Sequence, residues 1–144
     1  MNIAIASDHA GYELKEILKQ QFQNSGHEVQ DFGCNTAESC DYPDYAHPLA
    51  RAVNEQKHDF GITLCGSGNG INMTANKYPE VRSALCWNTE IARLARLHNN
   101  ANVCALPARF LAPEEAVEIV SIFLRTGFEG GRHEKRVEKI APKK

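Results

Sequence analysis

Short apolar runs rich in β-branched residues alternate with segments of helical period along the whole chain, and no other feature constrains the fold as tightly. Such alternation marks βαβ units and hence a parallel sheet. Five runs stand out, at Ile3 to Ala6, Glu28 to Phe32, Phe60 to Leu64, Arg82 to Cys86 and Val103 to Leu106, each short enough for a buried strand. Between them Leu14, Ile17, Leu18 and Phe22 fall on one helical face, as do Ile91, Leu94 and Ala95, and later Val117, Val120 and Leu124; these faces would cover the sheet. Pro113 followed by Glu114 and Glu115 predicts a helix start, because proline is tolerated in the first turn and carboxylates suit the positive end of the helix dipole. Gly127 is expected to end that helix. The sequence thus predicts an α/β fold in three layers, a five-stranded parallel sheet flanked by helices, as one domain over residues 1–144 with a basic tail from about residue 130.

Composition narrows the function. The 144 residues are 42% hydrophobic and 24% charged, enough to bury a core in one domain. A formal charge of −2 lacks the basic field that generic nucleic-acid binding requires, so any anion site must be local. The start, Asn2-Ile3-Ala4-Ile5-Ala6, carries neither a cationic leader nor a long apolar run. No signal peptide or membrane span is expected, and the cytosol is the expected compartment. Five cysteines, Cys34, Cys40, Cys65, Cys86 and Cys104, are an odd count without a C-x-x-C pair, which argues against a disulfide framework and a zinc ribbon. The six histidines and five cysteines adopt no standard ligand spacing, so no metal is expected.

In a parallel sheet, ligands bind beyond the carboxyl ends of the strands. The loop after the third strand, Cys65-Gly66-Ser67-Gly68-Asn69-Gly70, can bend so that successive amides converge on an anion, with a helix start expected near Ile71 adding a favourable dipole. Such turns also serve tight packing. A Walker A loop would need Lys-Ser/Thr after its glycines, where Ile71-Asn72 stand; G-x-G-x-x-G also fails; and a cysteine phosphatase would need an arginine at the position of Ile71. Cys65, at the mouth of the loop and near a helix N-terminus, sits where a thiolate is favoured, beside amides suited to a developing enolate oxygen. The alternative is a buried inert thiol, the reading preferred for the other four cysteines. Asp8 and His9 follow the first strand, where a carboxylate beside an imidazole can hold a ligand or merely cap the next helix. His98 and Asn99 could act on a ligand, or only complement a dipole and form a turn. Arg132 and Arg136, four apart, suit phosphate recognition if the tail is helical, and suit a solvated surface equally well.

Taken in order, Ser7-Asp8-His9-Ala10-Gly11, Asp41-Tyr42-Pro43-Asp44, Cys65-Gly66-Ser67-Gly68-Asn69-Gly70, Asn88-Thr89, His98-Asn99-Asn100, Asn102-Val103 and Arg132-His133-Glu134-Lys135-Arg136 closely resemble the type B ribose-5-phosphate isomerases over essentially the whole chain. The resemblance implies a Rossmann-like domain that works as a homodimer without metal, nucleotide or other cofactor, leaving a dimer of dimers open. It implies interconversion of ribose 5-phosphate and ribulose 5-phosphate in the non-oxidative branch of the pentose phosphate pathway. Cys65 matches the base that moves the proton between the first two carbons. The amides of Gly66 to Gly70, with the Ser67 hydroxyl, match the hole for the enediolate. His98 matches the acid/base that opens the furanose, Asp8 a holder of sugar hydroxyls and Asn99 a polar contact. His9, Arg109, Arg132 and Arg136 match the phosphate's surroundings, and Tyr42 the pocket wall. Some groups would come from the partner subunit. Ser67 and Asn69 stand where a common family form has threonine and isoleucine, which leaves a hexose 6-phosphate such as allose 6-phosphate as an alternative substrate. A non-catalytic module that senses a phosphorylated metabolite is the remaining alternative.

Overall fold

A computed structural model describes residues 1–143. Five strands form one all-parallel sheet: β1 (Asn2–Ser7), β2 (Glu28–Asp31), β3 (Phe60–Cys65), β4 (Ser83–Leu85) and β5 (Val103–Pro107), in the order β2-β1-β3-β5-β4. All five predicted strands are present. The helices are α1 (Tyr12–Asn24), α2 (Tyr42–Asn54), α3 (Asn69–Ala75), α4 (Thr89–Asn99), α5 (Pro113–Arg125) and α6 (Glu134–Glu138).

Strand alternation sorts the helices into layers. Ile3, Ile5, Ile62, Leu64, Cys104 and Leu106 point to one face, where Leu14, Leu18 and Phe22 of α1, Ala92 and Ala95 of α4, and Ile119, Val120 and Phe123 of α5 cover them. Ala4, Ala6 and Val103 point to the other, under Leu49, Ala50 and Val53 of α2 and Ala75 of α3. Small residues on that second face let α2 lie close: a Cβ on Gly61 would come within 2.9 Å of Leu49.

Four helix details differ from the sequence reading. Ile17 is exposed, because the sheet-facing row of α1 runs through Leu14, Leu18 and Phe22. On α4 the buried positions are Ala92, Ala95 and Arg96, whereas Ile91 and Leu94 are half-buried; the Arg96 guanidinium lies 4.8 Å from the centre of the Phe60 ring and donates to the Thr126 carbonyl at 3.0 Å. α5 starts at Pro113 as predicted but ends at Arg125, where the Thr126 hydroxyl and amide both bond to the Ile122 carbonyl; Gly127 does not adopt the left-handed cap. α3 begins at Asn69, before Ile71.

Lys15 is fully buried, an unusual place for an ammonium, and is paired there. Its Nζ lies 2.6 Å from Asp31 Oδ2 and 3.0 Å from Glu16 Oε1, and Lys19 adds a second cation 2.8 Å from Asp31. The other Asp31 oxygen accepts from the Gly33 amide at 2.8 Å. Burial opposes ionisation of Asp31, but the bonds from Lys15, Lys19 and Gly33 outweigh it and hold the carboxyl below its ordinary range. The group therefore stabilises the fold above its unfolded pKa, and that contribution is lost as pH falls through the lowered folded value. Asp31→Asn, which strands the buried Lys15, is expected to cost about 3 kcal/mol at pH 7, with the gap from wild type closing in acid; equal denaturation midpoints at pH 7 would refute this.

Candidate active site

The sheet order places β1 and β3 side by side while the chain leaves them in opposite directions, and their carboxyl ends open a crevice. Asp8 leaves β1 buried, its amide bonded to the Leu64 carbonyl at 3.2 Å. Its Oδ1 accepts from the Ala10 and Gly11 amides at 3.0 and 3.3 Å, the capping role left open by the sequence. Gly11 is needed there, because a Cβ would meet Leu64 at 2.6 Å. The next residue, His9, accepts the Cys40 amide at Nδ1 (3.2 Å). In the neutral ring this leaves Nε2 as the protonated nitrogen, a donor toward an anion.

Cys65 ends β3, buried among Ala46, Ile71 and Ala105. The loop beyond it turns at Gly68, whose φ of 77° lies in the left-handed region, and runs into α3. Arg109 closes over the loop: its amide donates to the Gly66 carbonyl at 3.0 Å, and its Nη1 would lie 3.1 Å from a Cβ on Gly66. The Tyr42 ring, from the first turn of α2, packs directly on Gly70. Ser67 and Asn69 are exposed, and the Ser67 hydroxyl oxygen accepts from both the amide and the side-chain nitrogen of Asn69 at 3.3 Å. With its oxygen so occupied, the hydroxyl hydrogen is left to donate outward. One chain thus gathers Asp8, His9, Tyr42, Cys65, Gly66, Ser67, Gly68, Asn69, Gly70 and Arg109 around the carboxyl ends of β1, β3 and β5.

His98, Asn99, Arg132 and Arg136 are not brought to that place. α4 leaves the carboxyl end of β4 and returns to the start of β5, so its 11 residues carry His98 and Asn99 about 16 Å down the sheet, to the opposite edge. There His98 stacks on His133 with ring centres 4.2 Å apart, and both face Glu129, whose amide is bonded to the Leu97 carbonyl. Burial, and then the neighbouring His98 and Arg132, push the His133 imidazole below its ordinary range. Arg132 and Arg136 flank it, exposed, on the 3-10 turn at Gly131–His133 and on α6. Asn99 instead borders a 760 Å³ cavity between Asn76–Ala84 and the chain's last turn at Ile140–Lys143.

Two contributions escaped the sequence reading. Cys40, taken as a packing residue, is half-buried and fixes the His9 ring through its amide, while Cys34, Cys86 and Cys104 are buried thiols as expected. Glu129 went unnoticed because nothing in its spacing marks it: the chain between it and His133 turns through Gly130 and Gly131, both at positive φ, and is not an α-helix.

A buried thiol at a strand end, continuing into a glycine loop under a guanidinium, is suited to moving a proton next to a carbonyl whose oxygen takes up negative charge. The class so defined is an aldose–ketose isomerase. The family profile described as Ribose/Galactose Isomerase matches residues 3–140. A ribose 5-phosphate isomerase from Thermotoga maritima, known by crystal structure, is 51% identical and superposes with a TM-score of 0.95 over 96% of each chain. The Mycoplasma genitalium ribose-5-phosphate isomerase B with bound ribulose-5-phosphate is 44% identical, with a TM-score of 0.94 over 97% of this chain and 93% of that one. A D-erythrulose-4-phosphate isomerase of Pectobacterium atrosepticum is 43% identical over 141 residues, 97% of this chain and 93% of that protein. The chain belongs to the ribose/galactose isomerase family. Among the described residues no helix is long and apolar enough to cross a membrane.

Gly68→Ala would force a side chain into the left-handed region and set its Cβ 2.5 Å from Leu85 and 3.1 Å from the Leu106 backbone. A loss of about 1–3 kcal/mol is expected on urea denaturation; a variant as stable as wild type would mean that the loop relaxes freely.

Proposed function

We propose that this chain interconverts ribose 5-phosphate and ribulose 5-phosphate through a cis-enediol, as a cytosolic enzyme of the non-oxidative pentose phosphate pathway. The observation that carries the reading is Cys65 at the end of β3, next to the Gly66–Gly70 loop with Arg109 folded over it; a relative that binds ribulose-5-phosphate supports the substrate. Cys65, as thiolate, takes the proton from C2 of the open-chain aldose and returns it to C1, while the C2 hydroxyl proton passes to the C1 oxygen to leave the C2 ketone. The electron pair passes to the C1 oxygen in the enediolate, where the loop amides and the Ser67 hydroxyl stabilise the charge. Asp8 holds sugar hydroxyls, Asn99 makes a further polar contact, Tyr42 lines the pocket, and His9, Arg109, Arg132 and Arg136 bind the phosphate.

His98 opens the furanose ring, protonating the ring oxygen while the anomeric hydroxyl loses its proton. Because His98, Asn99, Arg132 and Arg136 lie away from Cys65 within one chain, a second copy supplies them, and the working unit is a homodimer. A neighbouring reading is favoured by one observation: the 43% identical relative named for D-erythrulose 4-phosphate makes chain length of the sugar an open variable within the same chemistry, so tetrose, pentose and hexose phosphates are to be ranked by kcat/KM.

Cys65→Ala is expected to lower kcat roughly 100- to 10,000-fold with KM changed little; full activity in purified, chelator-treated protein would remove the cysteine base. His98→Asn should lose more rate on cyclic ribose 5-phosphate than on an open-chain analogue, and equal losses would count against ring opening. Mixing the two variants under exchange should restore about a quarter of wild-type activity, since half the dimers are mixed and each then holds one intact site. No recovery on mixing would mean that one chain completes its own site.

A further inference from the structure

We infer that His98, Glu129 and His133 form a binding site for a divalent transition metal of the zinc type, with a fourth position left to water or a ligand oxygen. Each residue offers one ligand atom, and the three atoms lie within 4.8 Å of one another. Glu129 Oε2 is 3.7 Å from His98 Nε2 and 3.5 Å from His133 Nε2. Tetrahedral zinc with bonds of about 2.0–2.1 Å separates adjacent ligand atoms by about 3.4 Å. The Glu129–His133 edge of the tetrahedron therefore already stands within about 0.1 Å of its required length, and the two edges to His98 are set once that ring turns out of its stack on His133.

The second observation is an unsatisfied atom. His133 Nε2 is buried and has no hydrogen-bond partner, and the side chain is only 8% exposed. Buried ring nitrogens are ordinarily paired. The Glu129 oxygen lies beyond hydrogen-bond range of it, whereas an ion between the two would satisfy both. Two imidazoles and one carboxylate suit zinc, cobalt or nickel better than magnesium or calcium, which prefer oxygen throughout.

The backbone holds two of the donors in place, Glu129 through its amide on the Leu97 carbonyl and His133 through its amide on the Gly130 carbonyl at 3.1 Å. The His98 ring must move. It now stacks on His133 at an interplanar angle of 14°, and a bound ion lies near the plane of each imidazole that ligates it. Stack and metal are thus alternative states, and the half-exposed His98 ring is the part free to swing. In the bound state His98 gives up the lone pair it would use on a sugar. That inhibitory consequence rests on the ring-opening role proposed above; the binding itself does not.

The test is titration of the full, tag-free chain with cobalt(II), followed by its visible absorption and by calorimetry in chelator-stripped buffer. One ion per chain, with the intense bands of a four-coordinate site, is expected. Glu129→Ala and His133→Ala should each weaken binding about 100-fold or more, since loss of an outer-shell partner alone costs roughly 10–100-fold. Glu129 is exposed, so its variant keeps the result interpretable if the buried His133 variant fails to fold. Cobalt binding unchanged in Glu129→Ala, or only the weak bands of a six-coordinate ion, would overturn the site. Tight cobalt binding by a protein without isomerase activity would uphold the site and remove the function proposed for the chain.

Discussion

The pairing of β1 with β3 at the middle of the sheet is the constraint on which the rest of the molecule depends. From β1 the chain crosses to β2 on one side through α1, and then returns through α2 to β3 on the other. Right-handed parallel crossovers in opposite directions put α1 and α2 on opposite faces, and the loops that leave β1 and β3 diverge above the same edge. Asp8 and Cys65 stand at the two lips of that opening. Every other group of the first cluster is fixed relative to them, Tyr42 by packing on Gly70 and Arg109 by its amide on Gly66.

The buried Lys15 network extends this frame to the edge. Asp31 receives α1 through Lys15 and Lys19 and holds the Gly33 amide. The Gly33 carbonyl in turn accepts from the Ser7 amide, and the Ser7 carbonyl accepts from the Cys34 amide, each at 2.8 Å. The Asp31 carboxylate that receives the α1 charges thus lies two hydrogen bonds from the end of β1, and the segment it anchors leads on to Cys40, whose amide sets the His9 ring. A charge that reads in sequence as a break in an apolar face is, in the fold, part of the support beneath the site.

The strands β1, β3 and β5 were legible because each is an apolar run bounded by polar turns, and the alternation of isoleucine with alanine in Asn2-Ile3-Ala4-Ile5-Ala6 already carries the two faces; β2, Glu28-Val29-Gln30-Asp31, is a largely polar edge strand that alternates between exposed and half-buried residues. The helices α2 and α3 were not read from period: Pro43 and Pro48 interrupt one, and the other is a short run that opens on Asn69 and Gly70. The first cluster was legible because each of its loops follows a strand. Ile17 misled, since an apolar residue one position off the buried row still reads as part of it. The grouping of His98 with Glu129 and His133 had no linear trace, because it is made by α4 running back along the sheet and by the tail folding against it.

The unequal faces of the sheet bear on how such a chain can vary. Toward α1, α4 and α5 the strands present isoleucine and leucine, whose volume neighbours can redistribute by exchanging one branched side chain for another. Toward α2 and α3 they present Ala4, Ala6, Gly61 and Ala105 beside the larger Val103, with Leu49 close above Gly61. Little side-chain volume is left on those strands to give up when a neighbour enlarges. Drift in sequence is thus open on one side of the molecule and closed on the other, and the closed side is the one on which α2 and α3 hold Tyr42 and the glycine loop.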